Sequence, residues 1–131
     1  MAKLVKSIYS GSDVTSLGEV TATDNIDSSY KWTAAQRATF VTDNDGSFDM
    51  NAGQNFKCTP TGNFTLTFTN IANGQSGFIV LVNSGGHTVS LHANSKADAN
   101  LAGTVSTAGT YILSYISDGT NAYLTNSAVI A

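Results

Sequence analysis

The stretch "GQSGFIVLVNSGGHTVSL", Gly74 to Leu91, decides how the rest of this chain is read. It holds five apolar residues in succession, Phe78 to Val82, then a turn of small residues, then a second strand-like run. Strand side chains alternate between two faces, so an unbroken apolar run needs cover on both. One cover is a hydrophobic core. The other is another part of the chain or another molecule.

Outward from this stretch the pattern stays β. "NFTLTFT" sends Phe64, Leu66 and Phe68 one way and Thr65, Thr67 and Thr69 the other. "SFDM" pairs Phe48 with Met50, "NFKCT" pairs Phe56 with Cys58, and "HTVSL" pairs Val89 with Leu91. "TYILSYI" alternates Tyr111, Leu113 and Tyr115 against Ile112 and Ile116. "DNDG" and "SDGT" end or centre on Asp-Gly, which predicts hairpin turns at Asp45-Gly46 and Asp118-Gly119. Gly74 and Gly77 are expected to bracket a loop. Residues 92–109 have no clear period and are expected to cross from one sheet to the other. Seven or eight short strands with turns of Gly, Asn and Asp predict an all-β fold, an antiparallel β-sandwich or jelly roll over residues 36–131.

Residues 1–35 read differently. Leu4, Val5, Ile8, Tyr9, Val14, Leu17 and Val20 stand singly among Ser, Thr, Gly and Asp, too sparse for a core of their own. This spacing suits an extended N-terminal arm that lays single anchors into pockets on a partner. Tyr30, Trp32 and Arg37 join the set of candidate partner-binding residues. Trp32 to Ala38, rich in helix formers, has room for a turn or two of helix.

Composition narrows the functional classes. With 131 residues, one domain is the economical reading. Only 11% of residues are charged and the net charge is −3, which argues against a nucleic-acid partner and for a surface partly covered by neighbours. The start lacks the unbroken apolar core of a signal peptide, and no run reaches membrane-spanning length, so a soluble, cytoplasmically made protein is expected. Without a secretion signal, the sequon Asn63-Phe64-Thr65 reads as chance. Cys58 is the single cysteine and shares strand parity with Phe56, so it reads as a buried small hydrophobe.

Catalytic and cofactor motifs are wanting. "GQSGF" has Phe78 where a nucleophile elbow needs glycine, and a strand follows. His87 and His92 fall on opposite strand faces and meet at a metal only if the chain bends between them. Asp43, Asp45 and Asp49 superficially suggest a calcium loop, but from Asp43 the glycine comes at the fourth position and the twelfth is Gln54. An irregular calcium site there is the remaining metal candidate; no cofactor is expected.

Taken in order, Asn63 to Leu66, Gly74 to Leu81, the Gly-rich turn Asn83 to Gly86, Tyr111 to Tyr115 and Ala122 to Thr125 resemble a recurring β-domain of tailed-bacteriophage virion proteins. The lead-in with Trp32, Gln36 and Arg37 fits the same pattern, and the likeness spans roughly residues 32 to 127. The chain departs from it between Ala93 and Thr107. The resemblance implies a virion structural module without enzymatic activity, on a head or a tail fibre. With the arm, the expectation is a capsid decoration (cement) protein on the outer capsid surface. Its expected partners are the major capsid protein and itself as a homotrimer, with no nucleic acid and no membrane. The alternative is a receptor- or glycan-binding module of a tail fibre, stacking Trp32, Tyr111, Tyr115 or Tyr123 on sugars.

Overall fold

The computed structural model describes residues 37–130, and within them the protein is all-β with one short helix. The chain runs β1 (Phe40–Thr42), β2 (Ser47–Asp49), β3 (Asn55–Cys58), β4 (Phe64–Thr69), β5 (Asn73–Asn83), β6 (Val89–Leu91), β7 (Ser95–Ala97), α1 (Leu101–Val105), β8 (Gly109–Asp118) and β9 (Ala122–Asn126). From β1 to β7 odd and even strands part company. A six-stranded sheet has the order β1-β3-β5-β8-β9-β7, and a three-stranded sheet the order β2-β4-β6.

This topology corrects the expected antiparallel sandwich. The ladders β1–β3, β3–β5, β2–β4, β4–β6 and β7–β9 are parallel; β5–β8 and β8–β9 are antiparallel. From β1 to β6 the chain winds as a two-sheet coil, a short β-solenoid, and each turn stacks on the one before. Phe40 lies opposite Asn55, and Asn55 opposite Phe78, so the turns contain 15 and 23 residues. Alternation within a strand is identical for parallel and antiparallel neighbours, and turns of such unequal length leave no repeat to detect.

The hairpin predicted at Asp45-Gly46 is therefore a corner between sheets. Asp43 Oδ1 accepts the Asp45 N–H at 3.2 Å and Asp45 Oδ1 accepts the Ser47 N–H at 2.8 Å, bending the chain toward β2. Gly46, at φ +85°, passes so close to Phe64 that a Cβ would lie 2.3 Å from its ring. The second Asp-Gly does make a hairpin, with Gly119–Asn121 between β8 and β9 rather than a two-residue turn. Gly74 and Gly77 do not bracket a loop either: both belong to β5, Gly74 within a bulge between Asn73 and Ser76 and Gly77 just past it, opposite Tyr115. At Gly77 a Cβ would meet Gln54 O at 1.8 Å, because the β2–β3 connection crosses directly over this backbone.

Between the sheets lies one core. Phe48 and Phe68 from the three-stranded sheet meet Phe56 and Tyr115 from the six-stranded one, with ring centroids 5.0–6.3 Å apart. Leu66, Ile79, Leu81, Tyr111 and Leu113 extend it, and Leu101 and Val105 of α1 close one end. The helix also protects the edge of the smaller sheet, since Ser106 Oγ accepts the Val89 N–H at 2.9 Å. As expected, residues 92–109 cross between the sheets, but they include β7 and α1 as well. Arg37 and Ala38 are irregular; the remainder of the predicted helical turn lies outside the described residues.

Coil corners leave backbone groups that no ladder satisfies, and asparagines serve three of them. Asn44 Oδ1 accepts the Thr59 N–H of the next turn, and Asn63 Oδ1 accepts the Thr88 N–H, each at 2.8 Å. Asn83 is fully buried; its amide donates to His87 O and Val105 O and its oxygen accepts the His87 N–H. Replacing Asn83 with Ala strands all three groups, for an expected loss of about 2–4 kcal/mol in denaturant unfolding. Asn63→Ala, at an exposed corner with one such bond, should cost about 1 kcal/mol or less.

Candidate interaction surface

The apolar run Phe78 to Val82 now divides by parity. Ile79 and Leu81 point into the core; Phe78, Val80 and Val82 point out from the six-stranded sheet. The neighbouring strand does the same. Tyr111, Leu113 and Tyr115 of β8 are buried, whereas Ile112 and Ile116 stand on the outer face. Registers across the sheet place Phe40, Asn55, Phe78 and Ser114 in one row, and Ser76, Ile116 and Tyr123 in the next.

The result is a diagonal apolar band. Phe40, Phe78, Ile112, Ile116 and Tyr123 are each between 41% and 56% exposed, values a core residue never shows. Two concavities break the band's relief. One, of about 320 Å³, is lined by Phe40, Asn55, Phe78, Val80 and Ile112. The other, of about 300 Å³, is lined by Ser114, Tyr115, Ile116, Tyr123, Leu124 and Thr125. Between the apolar side chains stand hydroxyls, among them the Ser114–Thr125 pair at 2.7 Å.

The candidate partner-binding residues Leu4, Val5, Ile8, Tyr9, Val14, Leu17, Val20, Tyr30 and Trp32 lie outside the described residues. Arg37 is described: it is exposed and precedes β1. Sequence reading therefore put its candidates in the N-terminal segment and did not name the outer sheet face as a site, although the unbroken run Phe78–Val82 was its signal. Of the tyrosines considered for sugar stacking, Tyr111 and Tyr115 are buried. Their hydroxyls donate to Thr107 O at 3.0 Å and Gln54 O at 2.7 Å. Tyr123 is exposed and donates to Asp118 Oδ2 at 2.8 Å.

The other chemical candidates resolve into structural roles. Cys58 is buried in the core, and burial, followed by the Asp43 and Asp45 charges, pushes its thiol up to about 12, far from a reactive thiolate. Burial and a hydrogen bond shared with Asp45 raise Asp43, while the same bond lowers Asp45. Asp49 is engaged elsewhere, accepting from the Asn51 N–H and Asn70 Nδ2, which lower it. Among the described residues no three Asp, Glu, His or Cys converge. His92 Nδ1 pairs with Asn94 Oδ1 at 2.9 Å, whereas His87 lies in the corner before β6. Gln75 of "GQSGF" is a clasp, its Nε2 donating to Met50 O and Gly53 O.

No protein-family model, no curated protein and no solved structure matches this chain.

Asp118 holds the β8–β9 turn at one end of the outer face. The backbone N–H groups of Asn121 and Thr120, with the Tyr123 hydroxyl, lower its carboxyl to about 2. A depressed carboxylate stabilises the fold above its unfolded value near 4, and that contribution is lost as pH falls through the folded value. Asp118→Ala should therefore lower Tm at neutral pH. The gap from wild type should narrow between about pH 4 and pH 2 in thermal scans.

Proposed function

We propose that this chain is a non-enzymatic structural protein of a tailed-phage virion that decorates the outer capsid surface as a homotrimer. The observation that carries the reading is the apolar outer face of the six-stranded sheet, built from the longest strands of the fold and only half covered. A face of Phe, Ile and Tyr with interspersed hydroxyls suits association through surface burial, which is how a cement protein works. Whatever binds only the assembled lattice stabilises that lattice by linkage. The order and spacing of the strand motifs, which resemble virion β-domains, add support. The tail-fibre reading is weaker, because of Tyr111, Tyr115 and Tyr123 only Tyr123 offers an exposed ring.

Quantitative mass spectrometry of purified virions checks the proposal. A copy number comparable to that of the major capsid protein is expected; a handful per particle would move the chain to the tail. In the same reading the scattered anchors of residues 1–30 grip the lattice. Deleting them should abolish capsid binding while far-UV circular dichroism keeps its β signature. Undiminished binding would remove that segment from the mechanism.

A further inference from the structure

We propose that the outer face of the six-stranded sheet is the contact through which copies of this chain associate with one another. The inference deepens the proposed assembly by naming its surface, and it does not depend on which part of a virion the protein occupies.

Area is the first argument. Phe40, Phe78, Ile112, Ile116 and Tyr123 are each about half exposed. Taking about half of roughly 200 Å² per side chain, the band offers roughly 500 Å² of apolar surface. That is near the upper end of the largest patch on an ordinary monomer, about 300–600 Å². A standard interface takes about 800 Å² from each partner, a little over half of it apolar. The band therefore supplies about the apolar share that one copy must contribute.

Charge is the second argument. The chain is acidic overall, at −3, so two copies repel unless their carboxylates stay away from the contact. Among the described residues four of five do, and the fifth, Asp118, is at the end of the face. Asp43 and Asp45 sit in the β1–β2 corner, Asp49 ends β2 of the other sheet, Asp98 follows β7, and Asp118 ends β8. The rows of the outer face carry Lys57 beside Val80 and Lys96 beside Tyr123; their carboxylate, Asp118, stands at the end of β8, where its own turn and the Tyr123 hydroxyl hold it. Long lysine stems lie along apolar surface while their ammonium groups reach water. An acidic chain thus presents an apolar face whose carboxylate, Asp118, stands at the end of β8, already engaged by the β8–β9 turn and Tyr123, so a second copy can meet the middle of the band without apposed carboxylates.

Shape is consistent with more than one neighbour. The concavity lined by Phe40, Phe78 and Val80 lies on the β1–β3–β5 half of the face, and that lined by Ile116 and Tyr123 on the β8–β9 half. One copy can therefore offer a different half of the face to each of two neighbours, as closed rings require.

The test uses the purified full chain without capsids, so its outcome is separate from virion copy number. Size-exclusion chromatography with light scattering should give a multiple of 13.6 kDa for the wild type. Phe78→Lys combined with Ile112→Lys places two charges in the concavity lined by Phe40, Asn55 and Val80, and should elute at the monomer mass. Far-UV circular dichroism should be unchanged, because both side chains are half exposed in the subunit. Phe78→Ser, which adds no charge, serves if the double variant misfolds; on dilution it should dissociate at about tenfold higher concentration. A wild type that stays monomeric at all concentrations overturns the proposal and leaves the face to a different partner. Folded variants that keep the wild-type mass overturn it equally.

Discussion

Everything C-terminal to the coil depends on the antiparallel ladder between β5 and β8, which runs from Asn73–Asp118 to Asn83–Gly109. A parallel coil has no intrinsic end. Each turn leaves an edge of unpaired N–H and C=O groups that invites another strand. β5 accepts β3 in parallel on one side and β8 in the opposite sense on the other, which stops the stack. β8 in turn holds β9 and, through the Thr110–Ile130 bridge, the last described residues. The bulge at Gly74–Ser76 is pinned by Gln75, by Ser117 Oγ donating to Gln75 O, and by Tyr115 reaching Gln54. The strand that ends the coil is thereby tied to the second corner of the coil.

The same ladder creates both hydrophobic surfaces of the larger sheet. Its inward positions, Ile79, Leu81, Tyr111, Leu113 and Tyr115, are buried to within 4% exposure, and its outward ones include Phe78, Val80, Ile112 and Ile116. Burying each inward side chain contributes about 1.5–3 kcal/mol, which explains why these positions are apolar. No such stabilisation within the subunit accounts for the outward ones. A residue such as Thr or Lys would serve a solvated strand as well, and the chain uses Thr freely on the outer face of β4. The outward Phe and Ile therefore call for a role beyond the subunit's own stability, and that need leads to the proposed contact.

How much of this was legible beforehand depends on what alternation encodes. Parity alone gave the core: Phe48, Met50, Phe56, Cys58, Leu66, Phe68, Val89 and the buried side of "TYILSYI" all face inward as read. Parity does not encode the direction of the neighbouring strand, so the same residues served an imagined antiparallel sandwich equally well. The decisive information was at the corners. Asp45-Gly46 looks like a hairpin from composition, but Asn44 spends its side chain on Thr59 of the next turn, 15 residues on, which no local reading shows. β7 and α1 were missed because Ser95–Ala97 and Leu101–Val105 are too short for either period to register. The outer face was half legible. The run Phe78–Val82 announced a second covered surface, but only the strand order β1-β3-β5-β8-β9 brings Phe40, Ile112 and Tyr123 beside it.

Corners and face together explain the unusual composition. Ordinary domains use charged residues for solubility and for turn termini, at about a quarter of all positions; this chain has 11%. A coil stacked in register brings equivalent corner residues of successive turns side by side, where like charges would repel. Neutral Asn, Ser and Thr satisfy the same backbone groups without that repulsion, as Asn44, Asn63 and Ser106 do. The five described aspartates are at turns and strand ends, and Asp118 accepts three hydrogen bonds there, from the Thr120 and Asn121 N–H groups of its own turn and from the Tyr123 hydroxyl. With charges this few, and the described aspartates confined to turns and strand ends, the surface most able to desolvate is the apolar band. Hydrophobic association is non-directional, so specificity in such a contact must come from relief and from hydroxyl rows such as Ser114 and Thr125. On the proposed reading, that combination lets many identical copies join under conditions in which ion pairs would be screened by salt.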